Sequence, residues 1–133
     1  MDPVVHFEFP YDDRERIKRF YTQAFGWEMQ QLGEEMGHYV LATTAKPGGP
    51  SRPDAANGAI SGGFFQRQKD WPDQVPSVVI AVQDIQAAMK KVKGAGGELL
   101  GEPMTIPGVG EYVSFRDTEK NRVSMMQFLK PSS

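Results

Sequence analysis

Near its start the chain alternates apolar and polar positions. In PVVHFEFPYDD, Pro3 to Asp13, a strand would turn Val5, Phe7 and Phe9 to one face and His6 and Glu8 to the other. The period then changes. In DDRERIKRFYTQAFGW, Ile17, Phe20, Tyr21, Ala24 and Phe25 recur at helical spacing, Asp12 or Asp13 supplies an N-cap, and Gly26 supplies the stop. The same signals return in VPSVVIAVQDIQAAMKKVKGAGG. They predict a strand around Val78 to Val82, a cap at Asp84, a helix with Ile85, Ala88, Met89 and Val92 on one face, and a glycine stop.

Setting His6 beside Ser77 also sets Asp13 beside Asp84, Ala24 beside Ala95 and Gly26 beside Gly97 without a gap, so a whole supersecondary unit is repeated. Farther along, GHYV (Gly37 to Val40) resembles GEYV (Gly110 to Val113), and NGAIS (Asn57 to Ser61) resembles KNRVS (Lys120 to Ser124). Each half reads as strand, helix and three strands. One amphipathic helix covers one sheet face in each half, which leaves the other face to line a cavity. The predicted class is α+β: two βαβββ modules in one domain with a sheet-lined cavity, module one at about 1–68, a linker at about 69–75 (within QKDWPDQVP) and module two at about 76–130. Ala45 to Asn57, rich in Pro and Gly, reads as a mobile loop at a pocket rim.

Composition narrows the function classes. The 133 residues are 39% hydrophobic, a globular composition for about one ordinary domain. Fifteen Lys and Arg against 17 Asp and Glu give a net charge of -2, so there is no basic footprint for nucleic acid. No apolar run is long enough for a membrane span and no signal-peptide layout opens the chain, which points to a cytoplasmic protein with a small-molecule ligand. The absence of cysteine removes disulfides, thiolate nucleophiles and thiolate metal sites.

The chemistry-bearing candidates lie on the predicted polar faces. Glu8 is the best general base: burial in an apolar cavity would raise its pKa and suit it to carry a proton, with His6 beside it. The same two residues also fit a bland reading, a histidine hydrogen-bonded within the core and a solvated strand-end carboxylate. Ser61, Ser77 and Ser124 suit either a polar floor for a ligand or small filling groups, and none stands in a nucleophile-elbow context. Tyr39 and Tyr112 occupy matching places in the halves and suit a ligand cavity or a sheet core. Gln127 falls on the face opposite Ser124. Trp27 and the methionines Met104, Met125 and Met126 read as packing groups, and Trp71 belongs to the linker.

The three stretches HFEFPYDDRERIKRFYTQAFGW, VVIAVQDIQAAMKKVKGAGGEL and PGVGEYVSFRDTEKNRVSMMQF resemble the vicinal oxygen chelate superfamily, which includes glyoxalase I, bleomycin-resistance proteins and extradiol dioxygenases. Within it the resemblance is to the branch described as predicted enzymes related to lactoylglutathione lyase. The resemblance spans nearly the whole chain and implies paired glyoxalase-like half-barrels and a homodimer. Metal-dependent members hold a divalent ion through one side chain from the first and one from the last strand of each module. Those positions map onto His6, Ser61, Ser77 and Ser124. Only the first is a usual ligand type, so the resemblance implies no metal and no other cofactor here.

Three classes of function follow. The first is metal-independent binding of a small organic molecule through His6, Glu8, Ser61, Ser77, Ser124, Tyr39 and Tyr112. The second is a lyase- or isomerase-type enzyme with Glu8 and His6, or a divalent metal, as its catalytic groups. The third is an interaction module that works through its surface.

Overall fold

The computed structural model describes residues 1–45 and 58–129. The loop expected from Ala45 to Asn57 therefore lies, apart from Ala45, outside the described residues. Among those described, the elements run β1 (Val4–Tyr11), α1 (Arg14–Phe25), β2 (Glu28–Gln31), a 3-10 turn (Glu34–Met36), β3 (Val40–Thr43), β4 (Ser61–Gln66), β5 (Ser77–Ala81), α2 (Ile85–Gly94), β6 (Glu98–Leu99), β7 (Met104–Ile106), β8 (Gly110–Arg116) and β9 (Arg122–Phe128). The class is α+β, with the strand–helix–strand unit repeated as expected. No helix among the described residues is long and apolar enough to cross a membrane.

Both helices start and stop for the reasons the sequence suggests. The Asp13 carboxylate accepts the Arg16 N–H at 3.0 Å, and the Asp84 carboxylate accepts the Ala87 N–H at 3.1 Å, so each satisfies one of the free donors of a first turn. Gly26 closes α1 in the left-handed conformation, with φ 72°. The second stop differs in detail from the repeat. Ala95 caps α2 with φ -90° and Gly96, not Gly97, takes the left-handed turn, with φ 99°.

The chain divides into two compact units. One holds His6–Pro76, with strand order β2-β3-β4-β1. The other holds Met1–Val5 and the chain from Ser77 onward, with order β5-β9-β8 and both β6 and β7 on the outer side of β8. The Pro3 carbonyl accepts the Ala81 N–H at 2.9 Å and so ties the N-terminal residues to β5. Three strands were expected after each helix, but the second unit has four, because the strand matching β2 is broken into β6 and β7. Pro103, which has no N–H to give, and Gly101 at φ 110° lie in the break.

In each unit the strand faces separate as the alternation requires. Phe7, Tyr11, Val40, Ala42 and Phe64 form the first core, against which Ile17 and Tyr21 of α1 and Trp27 pack. Tyr21 and Trp27 stack with ring centroids 4.6 Å apart. The apolar stripe of α1 is wider than the core it covers: Phe20 and Phe25 are 55% and 64% exposed and lean on Tyr21 instead. In the second unit Ile85 and Met89 of α2 pack on Val113 and Met125, with Ile80 and Phe115 beside them. Gln127 is on that helix side, where its Oε1 accepts the Ile85 N–H at 2.8 Å and adds a second cap to α2. The linker stretch is knitted to its own unit: Arg67 donates to the Gln74 carbonyl at 3.1 Å, and the Gln74 side chain bonds back to the Gln68 backbone.

Gly62 lets Phe7 lie flat against β4, since a Cβ there would overlap both the Phe7 ring and its carbonyl. Overpacking of this kind costs about 1–3 kcal/mol. Gly62→Ala should lower the midpoint of thermal unfolding accordingly, and an unchanged midpoint would show that Phe7 has room to move.

Candidate functional site

The register between the first and last strand of each unit decides which side chains meet. In the first unit β1 and β4 run parallel with His6 beside Ser61 and Glu8 beside Gly63. Because Phe7 and Phe64 face α1, these four positions lie on the face turned away from the helix. Gly63 has a particular role there. The neighbouring strand β3 pairs Leu41 with Gly63, and the Tyr39 ring lies across the place where a Cβ of residue 63 would stand. Its hydroxyl therefore reaches β1, 2.9 Å from His6 Nε2 and 3.4 Å from the Glu8 carboxylate, to which it donates.

With its hydrogen on Nε2, His6 donates to Tyr39 and Tyr39 donates to Glu8, a continuous proton chain on one sheet face. Glu8 is buried, at 8% exposure, and burial lowers the His6 pKa from its ordinary 6.5, so the imidazole is neutral at pH 7. Ser61 is less available to a ligand: its Oγ accepts the Thr44 N–H at 3.2 Å. His38 has its carbonyl held by the Tyr11 hydroxyl at 2.6 Å.

The second unit builds a different cluster on the corresponding face. Tyr112 Oη lies 2.7 Å from Ser124 Oγ, and Ser124 lies 2.9 Å from Ser114 Oγ. Arg122 donates from Nη2 to Ser114 at 3.0 Å. Ser77 is buried, and its Oγ has no hydrogen-bond partner among the described residues; neither has the buried Nη1 of Arg122. Each such orphan costs about 1–3 kcal/mol in a folded protein.

The repeat in the sequence pairs Ser61 with Ser124, but the ladders do not. Ser61 stands beside His6, whereas Ser124 stands beside Val79. Carrying that parallel register back along β5 and β9 places Arg122 beside Ser77. The antiparallel ladders agree, since Leu41 pairs with Gly63 and Ser114 with Ser124. Tyr39 and Tyr112 are thus true counterparts, and Ser124 is the counterpart of Gly63. Sequence reasoning missed Arg122, Ser114 and Gly63. The signal for Arg122 was present, because it lies two residues before Ser124 on the same strand and hence on the same face.

These residues do not fit the divalent ion that metal-dependent members of the superfamily hold. Of the four mapped positions, three carry neutral hydroxyls; Ser61 is engaged by Thr44, Ser124 by Tyr112 and Ser114, and a guanidinium stands where the register calls for the ligand opposite Ser77. Among the described residues no group of three or more His, Cys, Asp or Glu is placed to hold a metal.

The strand order and repeated modules have relatives. The chain belongs to the Glyoxalase/Bleomycin resistance protein/Dioxygenase superfamily, whose sequence model matches residues 4–125. A glyoxylase-like domain-containing protein of Didymella fabae is 28% identical over 115 residues, covering 86% of this chain and 84% of its own. Among solved structures, a hypothetical protein of Bacillus halodurans C-125 superposes with a TM-score of 0.69 at 10% identity, over 99% of this chain and 98% of the other. The methylmalonyl-CoA epimerase of Mycobacterium tuberculosis gives 0.67 at 11% identity, over 96% and 88%. At such identities the two structures establish a shared fold.

The neutral His6 makes stability depend on pH. Its folded pKa lies below the unfolded value of 6.5, so between the two the unfolded chain takes up a proton that the folded chain refuses. Its contribution is complete above 6.5 and declines as pH falls toward the folded value. Thermal midpoints measured between about pH 8 and 5 should therefore fall less steeply in His6→Gln than in the wild type, where histidine titrates; parallel curves would place the His6 pKa at its ordinary value. Gly63→Ala should push the Tyr39 ring off His6, and an NMR titration of the His6 ring should report the changed pKa.

Proposed function

We propose that the protein binds a small organic molecule without a divalent metal, using the polar sheet faces turned away from α1 and α2. The observation that supports this most is the donor chemistry of the mapped positions, one histidine and three serines with an arginine cation at the register-matched place. His6, Glu8, Tyr39 and Ser61 are the proposed ligand contacts on the first unit's face, and Ser77, Tyr112 and Ser124 those on the second's, where Ser114 and Arg122 stand beside them. Membership of a superfamily does not decide between binding and turnover, because one fold carries many sites.

A specific observation favours one alternative. The His6–Tyr39–Glu8 chain is suited to moving a proton, and a buried carboxylate beside a neutral imidazole is the arrangement needed to take one from a carbon next to a carbonyl. The structural relative named as an epimerase acts, by its name, on methylmalonyl-CoA. On this reading the present protein is a lyase- or isomerase-type enzyme in which Glu8 takes the proton as base and returns it, with His6 and Tyr39 donating along the chain toward its carboxylate.

Elemental analysis of dialysed protein, together with native mass spectrometry of what co-purifies, tests the first reading. The expected result is substoichiometric Ni, Zn, Fe and Mn, with a retained organic mass that His6→Ala loses while remaining folded. One equivalent of metal surviving dialysis would overturn it. Turnover is separated from sequestration by solvent deuterium entering the bound compound, an exchange that Glu8→Gln should abolish without abolishing binding.

A further inference from the structure

We infer that Arg122 and Ser77 form a receptor for the carboxylate of a small organic acid on the second unit's sheet face. The inference rests on the reading of that face as a metal-free binding surface and names the chemistry of its ligand. Two donor-bearing groups on adjacent parallel strands are buried and lack partners: the Oγ of Ser77, a residue only 9% exposed, and Nη1 of Arg122. The register of β5 and β9 places the two residues side by side on the same face.

Such orphans ask for an acceptor, and the charge of the guanidinium asks for an anionic one. Arg122 is held ready for it. Its Nη2 is anchored on Ser114, which is itself tied to Ser124 and through it to Tyr112, so the planar fork is oriented before a ligand arrives. No ion pair neutralises Arg122 among the described residues; the Glu98 carboxylate pairs with Arg116 instead. One N–H edge from Arg122 and one hydroxyl from Ser77 match the two oxygens of a carboxylate.

The test uses the whole protein and defined probes: acetate, propionate and benzoate against acetamide, propionamide and benzamide, with sulfate and inorganic phosphate as further anions. Binding is read from the side-chain Nε–H signal of Arg122 in arginine-labelled protein and from calorimetry. Each acid should bind about tenfold or more tightly than its amide, because a charge-assisted hydrogen bond is replaced by a neutral one. Arg122→Gln and Ser77→Ala should remove that preference; Arg122→Lys, which keeps the charge but not the fork, should restore part of it. Ser77→Ala changes the site least, so it still reports should Arg122→Gln fail to fold.

Equal binding of acids and amides would overturn the inference yet leave the small-molecule reading standing. So would an acid preference that survives both Arg122→Gln and Ser77→Ala, since the charge would then be read elsewhere. Phosphate or sulfate outcompeting the carboxylates would overturn the choice of anion. No response of Arg122 to any probe would mean that water satisfies the two orphans and would overturn it outright, while the organic mass retained by the purified protein reports independently on the wider reading.

Discussion

The parallel pairing of the first and last strand in each unit is the constraint on which the remaining arrangement depends. A parallel ladder has a fixed slant and a side-chain period of two, so one pair of neighbours determines every other pair along it. His6 beside Ser61 sends Phe7 and Phe64 under α1 and brings Glu8 to the far face; Val79 beside Ser124 sends Ile80 and Met125 under α2 and brings Ser77 and Arg122 to theirs. A slip of one residue would exchange core and polar face in either unit. The aromatic packing around Trp27, Tyr21 and Phe64 holds the first register, and the α2 contacts of Val113 and Met125 hold the second.

Much of this was legible in the chain. The alternation of PVVHFEFPY, the two aspartate caps and the internal repeat led to both helices and to the α+β class, because each rests on local chemistry that one sequence displays. The break between β6 and β7 was less visible, since strand length depends on the partner strand as well as on the run itself. The polar faces were legible by parity but not by partnership. That Tyr39 reaches His6 depends on the missing side chain of Gly63 on a third strand, a relation no spacing within either segment contains. Similarity between NGAIS and KNRVS aligned the wrong serine, because a motif match fixes residue types while a ladder fixes neighbours.

The two halves show how a duplicated module diverges without changing its fold. Tyr39 and Tyr112 keep the same place and the same polar tip. Gly63 opens a path for the first across β4 to the histidine and carboxylate of β1, whereas Ser124 offers the second a partner at 2.7 Å. A side chain of two heavy atoms thus separates a face carrying a histidine–tyrosine–carboxylate chain from one carrying a guanidinium. One fold can carry different chemistries when a few positions on it change.

The interruption of the outer strand in the second unit bears on how the protein behaves at high concentration. An exposed strand edge recruits other chains when it presents an unbroken row of N–H and C=O groups. Here the row stops after Glu98 and Leu99: Leu100 turns its N–H back to the Ser114 carbonyl, Pro103 has none, and only Met104–Ile106 follow before the next turn. A foreign strand would find few consecutive partners on that side, so the same residues that spoil the symmetry of the repeat guard the sheet against open-ended growth.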